Sequence, residues 1–342
     1  MEKIDIFKVD CTPSFIPNNL CNNSNSLFYI HNSEAMPRIM VVDKKYFDDI
    51  NQKQQYLVNF NSSEKNEMLF AKVININNTY YIANGLYGGF KLWSIDGKRI
   101  FFQIPAKNKI EGRIYAFTSI CEFRIDNMKN EFDCFLCGDN YGQLFIVSGE
   151  KFKWKNKHIY GSNTNETILS ISSYLDFNCV GVCIDNGNVL ILKVEKDKSE
   201  KLKEFNNAKN MSLVSSIIKN YNNDYYLGCG FVNGEIKIYN MIKLTLSYTI
   251  NSHLRGINSI IGVNSCFISA GEDGAINVWK VDNDKIELKN NLVFEDKILV
   301  GITYDEEQKC IYANAYDYQE IIRISNLNLF DQKNNITLKK IL

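Results

Sequence analysis

Residues 250–281 read INSHLRGINSIIGVNSCFISAGEDGAINVWKV, and this stretch decides the fold. Three short segments in it, 257–263, 265–271 and 275–281, are rich in β-branched and aromatic residues, as β-strands are. An Asp-Gly pair separates the last two segments, and such a pair accepts the positive φ angles of a tight hairpin turn. The stretch therefore predicts a three-stranded antiparallel meander.

Four side chains of this stretch have the spacing of a WD repeat, which the segment resembles. In such a repeat an aspartate, a histidine, a serine or threonine and a tryptophan form a hydrogen-bonded tetrad. Imidazole can bridge a hydroxyl and a carboxylate because one ring nitrogen donates and the other accepts. We predict a structural tetrad of His253, Ser269, Asp273 and Trp279. The other repeats lack the full set, so we expect apolar packing alone to hold their strands.

Turn glycines recur along the chain at a similar interval. They follow the second of four predicted strands, at separations of 54, 45, 47 and 40 positions, in Gly88, Gly142, Gly187, Gly234 and Gly274. Blades of a β-propeller repeat at roughly 40–50 residues. With a weaker first repeat, the chain is predicted to be an all-β, seven-bladed WD40-like β-propeller. A pair of irregular β-sandwiches would explain the strands but not the interval.

The two ends of the chain carry incomplete patterns. The last repeat has only three predicted strands, whereas residues 4–9 alternate apolar and charged side chains and have no hairpin partner. We predict that this N-terminal strand completes the last blade, because closure removes exposed sheet edges. Residues 1–325 are then a single propeller domain. Residues 326–342 are a C-terminal tail that packs on the propeller, binds a partner or is loosely ordered.

Composition and charge narrow the class of protein. The 342 residues carry 39 basic and 39 acidic side chains, a balance without the electrostatic footprint of a nucleic-acid binder. The first residues lack the apolar core of a secretory signal, and no apolar run is long enough to span a membrane. Most of the 10 cysteines lie in predicted strands, as small buried hydrophobes do. These observations predict a soluble cytoplasmic protein without a nucleic-acid partner or transmembrane segment.

Catalytic and metal-binding patterns are sparse. The three histidines, His31, His158 and His253, fall in separate repeats, and no Ser/His/Asp or Cys/His set is spaced to converge. Cys134 and Cys137 have the spacing of a metal or redox motif, but a strand points them to opposite faces and no second such pair exists. We expect no catalytic residue, no metal and no cofactor. An active site assembled from distant loops is a third, weaker interpretation.

Aromatic residues occupy turns where polar side chains would suffice. Tyr87, Tyr141 and Phe231 lie between the second and third strands of their repeats, and in a propeller these turns emerge on one face. Arg255 and Glu272 are predicted to emerge there too. Because aromatic residues are frequent hot spots of protein interfaces, these five residues form our candidate partner-binding face. In the alternative interpretation, the rings pack against neighbouring blades.

Several segments resemble one WD-repeat family. The runs LCNN, CGFVNGEIKIYN, INSHLRGINSI, SAGEDGAINVWKV and YDYQEIIRIS are together similar to the WD repeat-containing protein 54 family, most clearly over residues 225–325. The resemblance implies a non-catalytic scaffold for protein partners, with peripheral vesicle or membrane association through those partners. A reader of a modified peptide or small ligand in the central channel is the alternative. Partner identity and homo-oligomerisation are left open.

Overall fold

Turns with left-handed backbone separate the strands of this chain. Four of the predicted turn glycines have φ between 73° and 91°, a region that a Cβ atom disfavours: Gly142, Gly187, Gly234 and Gly274. Gly88, the fifth, lies outside the described residues. Glycine at these turns lets each second strand reverse directly into the third.

The computed structural model describes residues 2–32, 37–49, 55–58, 60, 68–87, 89–105, 114–125, 130–149, 153–161, 165–208, 210–282, 285–326 and 339–341. Over these residues the chain forms 29 strands and one 3₁₀ helix. The strands assemble into seven sheets. The protein is a seven-bladed all-β propeller, as the interval between the turn glycines predicts.

The first blade is built from short strands. After β1 (Lys3–Lys8), which joins another blade, it contains β2 (Cys21–Asn22), β3 (Ser26–Asn32), β4 (Pro37–Asp43) and β5 (Gln55–Val58). The 3₁₀ helix Lys44–Phe47 follows β4, and the Asp43 carboxylate caps it by accepting the Lys45 N–H at 2.9 Å. This is the weaker first repeat of the sequence pattern, and β2 was not predicted because two residues are too few to show alternation.

One compact unit comprises residues 30–40 and 57–212 and contains the second, third and fourth blades. Each blade is an antiparallel meander. The strands are β6 (Met68–Ile76), β7 (Thr79–Leu86), β8 (Gly89–Ser94), β9 (Ile100–Pro105), β10 (Phe117–Phe123), β11 (Cys134–Asp139), β12 (Leu144–Ser148), β13 (Lys155–Tyr160), β14 (Ile168–Tyr174), β15 (Phe177–Ile184), β16 (Asn188–Val194) and β17 (Ser199–Asn206). Aromatic rings fill part of this core: the Phe90 centroid lies 5.8 Å from Phe117 and 5.4 Å from Phe135.

The other compact unit comprises residues 1–29, 41–56 and 213–342 and contains the fifth, sixth and seventh blades. The strands are β18 (Ser212–Lys219), β19 (Tyr225–Phe231), β20 (Glu235–Asn240), β21 (Thr245–Asn251), β22 (Ile257–Val263), β23 (Cys266–Gly271), β24 (Ala275–Val281), β25 (Ile286–Phe294), β26 (Leu299–Asp305), β27 (Cys310–Ala315), β28 (Glu320–Ser325) and β29 (Lys339–Ile341). Its core between the sixth and seventh blades is aliphatic, as with Ile268, Ile302 and Ile322.

The N-terminal strand belongs to the last blade. β1 pairs antiparallel with β28, and the sheet order is β1, β28, β27, β26. The Arg323 guanidinium on β28 donates to Asp5 Oδ2 on β1 at 3.1 Å and to Asp48 Oδ1 at 2.8 Å. The prediction that residues 4–9 complete the last blade is therefore confirmed.

A fifth strand extends the sixth blade. β29 pairs in parallel with β25, placing Lys339 opposite Leu292 and Ile341 opposite Phe294. The remaining tail positions, 327–338 and 342, lie outside the described residues. The division into a propeller of residues 1–325 and a tail of residues 326–342 stays a prediction.

A register shift occurs at a matching position in five blades. Between the third and fourth strands it falls immediately before one residue of the third strand: Trp93, Phe145, Leu192, Tyr239 and Trp279. Such a bulge adds an unpaired residue and increases the local twist. The repeats identified from the sequence are thus structural repeats, in which Trp279 has aromatic or leucine counterparts.

Candidate functional site

A buried polar network lies at one edge of the sixth blade. His253, in the loop between β21 and β22, places its Nε2 atom 2.8 Å from Ser269 Oγ on β23. Its Nδ1 atom lies 2.9 Å from Asp273 Oδ1 in the turn that follows β23. The imidazole side chain is fully buried. The structure therefore brings together three of the four predicted tetrad residues in direct hydrogen-bond contact.

Trp279 enters the network through a residue that the sequence pattern did not identify. Its indole N–H donates to Ser252 Oγ at 2.9 Å, and Ser252 Oγ lies 3.5 Å from Ser269 Oγ. Asn277 Nδ2 also donates to the Ser252 carbonyl oxygen at 2.6 Å. The link from tryptophan to histidine thus passes through Ser252. An Asn between apolar residues of a buried strand is the one sequence signal that points to Asn277.

The Asp273 carboxylate fixes the loop that precedes β22. Besides His253, it accepts the Leu254 N–H at Oδ2 (2.8 Å) and the Ala275 N–H at Oδ1 (3.1 Å). Burial alone would raise the pKa of Asp273, but the hydrogen bond and charge interaction with His253 and these two N–H groups hold the pKa below its usual value. The side chain is therefore a carboxylate at neutral pH, with its oxygens engaged by the loop and the turn.

An exposed surface lies next to this network, since Leu254 follows His253 and its N–H is bound by Asp273. Leu254 is 94% exposed, and Val232 in the turn after β19 is also exposed. Arg255 Nη2 lies 3.5 Å from Glu272 Oε2. A side chain at Gly256 would meet Glu272 Oε1 at 3.2 Å and the Val232 carbonyl oxygen at 3.4 Å, so glycine lets these segments approach. We call Val232, Leu254, Arg255 and Glu272 the loop surface.

Two of the predicted partner-binding aromatics are buried, which corrects that part of the candidate face. Tyr141 is 1% exposed because its ring stacks on Tyr115 at a centroid distance of 5.8 Å. Phe231 is 0% exposed and lies under the Lys237 ammonium, which is 5.2 Å from the ring centroid. Both rings contribute to packing instead, as in the alternative interpretation. Tyr87 is exposed, in a β-bridge with Ala116.

The third blade has its own network of buried polar hydrogen bonds. The expectation that apolar packing alone holds the strands of the other blades is therefore wrong. The Tyr115 hydroxyl donates to Asp139 Oδ2 at 2.8 Å. Asp139 Oδ1 accepts the N–H groups of Tyr141 (2.9 Å) and Gln143 (2.8 Å). Burial and the Asp139 charge raise the pKa of Tyr115. Tyr115 thus takes the place that His253 has in the sixth blade.

Side chains on the first strands of two blades, the third and the sixth, also bind the next blade. Thr118 Oγ1 on β10 donates to the Ile168 carbonyl oxygen at the start of β14, at 2.5 Å. Asn258 Nδ2 on β22 donates to the Leu299 carbonyl oxygen at the start of β26, at 3.0 Å. Each donor sits where the register of its strand shifts. A bulge therefore turns a polar side chain toward the neighbouring blade within each unit.

Reactive side chains are dispersed through the described residues. No group of three or more His, Cys, Asp or Glu side chains among them is placed to hold a metal ion. Cys134 and Cys137 are both buried in β11, and burial raises the pKa of each thiol. Such thiols stay protonated at neutral pH and are inert. In the same part of the chain, no helix is long and apolar enough to cross a membrane.

Comparison with known proteins supports the fold and leaves the function open. A scan against protein-family models finds no match, and a search of curated proteins finds none either. A chain in a crystal structure of the mitotic checkpoint complex matches with a TM-score of 0.70 and 11% sequence identity, over 94% of this chain and 90% of that chain. At this identity the likeness shows the fold alone. Because 1624 solved chains match, the fold does not by itself narrow the function.

Proposed function

We propose that this protein is a non-catalytic WD-repeat scaffold that binds protein partners through the loop surface. The proposal rests on one observation: Leu254 is 94% exposed in a loop whose backbone is held by a half-buried carboxylate. A side chain presented from a fixed backbone loses little conformational entropy on binding. The tetrad residues His253, Ser269, Asp273 and Trp279 then serve to hold the partner-binding loop.

The neighbours of Leu254 suit a protein interface. A single exposed leucine is ordinary on a protein surface, but Val232 extends the apolar area and the Arg255–Glu272 ion pair lies beside it. Charges at the rim of an interface affect partner choice and association rate more than affinity. A partner whose apolar side chain packs against Leu254 can also place an acidic group near Arg255 and a basic group near Glu272. Tyr87 is proposed as a separate contact in the other unit.

The family resemblance supports the same proposal. It is strongest over residues 225–325, the part of the chain that contains the loop surface. Under this proposal, residues 1–325 form one propeller domain, residues 326–342 form the tail, and the protein is cytoplasmic and reaches vesicles or membranes through its partners. We also propose that the protein has no enzymatic activity and binds no cofactor. Both ring nitrogens of His253 contact groups of the fold itself, Ser269 and Asp273.

Affinity capture from cell extract with quantitative mass spectrometry tests the proposal. Wild type is compared with Leu254→Ser and with a matched control, Leu246→Ser, in which a 46% exposed leucine of β21 is changed. We expect a reproducible set of proteins that is lost with Leu254→Ser and kept with Leu246→Ser. Thermal melting of both variants should match wild type, because neither side chain is part of the core.

Two outcomes would contradict the proposal. Equal capture by wild type and Leu254→Ser would show that the loop surface does not bind the captured proteins. Capture of no protein above background would favour the channel-ligand alternative, and screening of modified peptides and small molecules would then follow.

A further inference from the structure

A pair of exposed aromatic rings lies at the seventh blade, away from the loop surface in sequence. Phe15 is 52% exposed and Tyr316 is 43% exposed, and their rings meet edge to face at a centroid distance of 5.6 Å. Phe15 follows β1 and Tyr316 follows β27. Because the outer strand and the second strand of this blade both end at the edge where the third strand begins, the two rings leave the sheet at one edge.

The segment that carries Phe15 is fixed along its length. The Val9 N–H donates to the Gln319 carbonyl oxygen at 2.9 Å, and Gln319 Nε2 donates to the Asp10 carbonyl oxygen at 3.2 Å. Further along, the Tyr29 hydroxyl donates to the Cys11 carbonyl oxygen at 2.7 Å. Hydrogen bonds therefore hold the segment before Phe15 against the last blade, so the exposure of Phe15 does not result from a loose terminus.

Carboxylates are frequent in the turns at the edge that carries this ring pair. These turns and the strand ends beside them hold five carboxylates, Asp10, Glu295, Asp296, Asp317 and Glu320, and two ammonium groups, Lys8 and Lys297, while β29, with Lys339 and Lys340, pairs with the end of β25. Lys297 is engaged within the surface: its Nζ lies 2.6 Å from Glu320 Oε2 and 3.8 Å from the Tyr318 ring centroid. Since the whole chain has a net charge of 0, this excess of carboxylates is a local feature.

Contacts join these groups into one surface. The Tyr318 hydroxyl donates to the Asp296 carbonyl oxygen at 2.9 Å, and the Tyr316 N–H donates to the Ile298 carbonyl oxygen at 2.8 Å. The turn before β26 and the turn before β28 are thereby held side by side. We call Phe15, Asp296, Tyr316, Asp317 and Tyr318 the blade-seven surface.

We propose that the blade-seven surface binds a basic segment of a protein partner, with an arginine or lysine side chain over the Phe15–Tyr316 pair. An aromatic face attracts a cation, and carboxylates around it strengthen the attraction and disfavour anions. The excess negative charge excludes nucleic acid and anionic lipid as occupants for the same reason. The inference rests on the proposed scaffold function and assigns the chemistry of one partner segment to a second surface.

Fluorescence anisotropy with a short labelled peptide of alternating arginine and alanine tests this inference. A peptide with glutamate in place of arginine is the charge control. We expect saturable binding of the arginine peptide that weakens between about 50 mM and about 300 mM salt, because exposed charges are screened. The Phe15→Ala/Tyr316→Ala double variant should bind at least about fivefold more weakly.

Two further variants separate a specific surface from general attraction. Asp296→Asn/Asp317→Asn removes two charges while keeping a residue that tolerates the positive φ of 57° and 60° at these positions; it should weaken binding and reduce the salt dependence. Tyr221→Ala, which removes a 64% exposed ring of the fifth blade, should bind as wild type does.

The inference is overturned if the arginine peptide does not bind, if the glutamate peptide binds equally well, or if Phe15→Ala/Tyr316→Ala and Tyr221→Ala bind alike. Leu254→Ser should bind the arginine peptide as wild type does. If the arginine peptide does not bind, the affinity capture still tests the loop surface. If the affinity capture fails, peptide binding still tests the blade-seven surface.

Discussion

The sixth and third blades both use an aspartate to connect the turn after the second strand with the loop before the first strand, but the residue that binds this aspartate differs between them. In both, an aspartate at the end of the second strand or in the turn after it is hydrogen-bonded to residues that follow it and to a residue that precedes the first strand. The sixth blade uses His253, whose second ring nitrogen continues to Ser269. The third blade uses Tyr115, whose hydroxyl donates to Asp139 Oδ2.

The difference shows which part of the network each blade needs. The aspartate and the turn are shared, whereas the donor before the first strand varies. Tyrosine supplies one hydrogen bond and a large ring that stacks on Tyr141, so the third blade replaces polar links with aromatic packing. The sixth blade keeps the polar links and leaves Leu254 outside the core. The two blades therefore differ in the side chain that contacts the aspartate and in the exposure of the residue that follows it, since Ala116 is buried and Leu254 is exposed.

The largest effect is expected from removing the aspartate of the third blade. Asp139→Ala deletes the acceptor shared by the Tyr115 hydroxyl and the N–H groups of Tyr141 and Gln143. Three buried donors lose their acceptor, each at about 1–3 kcal/mol, so we expect a total cost of about 3–5 kcal/mol in the free energy of unfolding. Asp273→Ala should cost about 1–3 kcal/mol, because Asp273 is less buried. Urea unfolding followed by circular dichroism measures both values.

Asp139→Asn is the matched control, since it keeps one acceptor oxygen and should recover part of the loss. A smaller cost for Asp139→Ala than for Asp273→Ala would show that the histidine version contributes more to stability than the tyrosine version.

A smaller effect is expected at Trp279. Trp279→Phe keeps an aromatic ring, as Phe145 supplies in the third blade, but removes the N–H that donates to Ser252 Oγ. The expected cost is about 0.5–1.5 kcal/mol in the free energy of unfolding, the usual worth of one hydrogen bond. A double-mutant cycle with Ser252→Ala isolates the bond. If Ser252→Ala costs the same in both backgrounds, Trp279 and Ser252 are not coupled.

The smallest effect concerns pH. Because the pKa of Asp273 is lowered in the folded protein, its ionised form stabilises the fold above the unfolded-state pKa of about 3.9. This contribution is lost as the pH falls from there through the folded-state pKa. Asp273→Asn lacks it, so the melting temperature of this variant should fall less between pH 5 and pH 3 than that of wild type.

Asp317→Asn, which replaces the carboxylate of an exposed turn, is the matched substitution control. An Asp273→Asn profile parallel to wild type would mean that the His253–Asp273 contact does not contribute to acid sensitivity.

Much of the fold could be predicted because its signals are periodic and local. Alternating strands, turn glycines and the unmatched N-terminal strand together indicate seven blades and the way the last one is completed. β2 was missed because two residues carry no period. The Tyr115–Asp139 network of the third blade was not predicted, because Tyr115 lies two positions before β10, whereas His253 lies four positions before β22. The spacing of the WD repeat therefore did not identify Tyr115 as the counterpart of His253.

The candidate surfaces were harder to predict, because exposure is decided by tertiary contacts. Tyr141 and Phe231 occupy the predicted turns, yet their rings fold back onto neighbouring groups. Leu254 is exposed although it directly follows the buried His253 and lies two positions before the loop glycine Gly256. Phe15 and Tyr316 meet only because the N-terminal strand joins the last blade, and no local pattern links residues so far apart.

The pairing of β1 with β28 also sets an order of events during synthesis. Asp5 and Arg323, which are bonded in the finished blade, are 318 positions apart. At about 5–20 residues per second, a ribosome needs roughly 15–60 s to make the second after the first. Throughout that interval β1 has no strand to pair with. The nascent chain must therefore carry β1 without its native partner strand until β28 has been made, and only then can the last blade be completed.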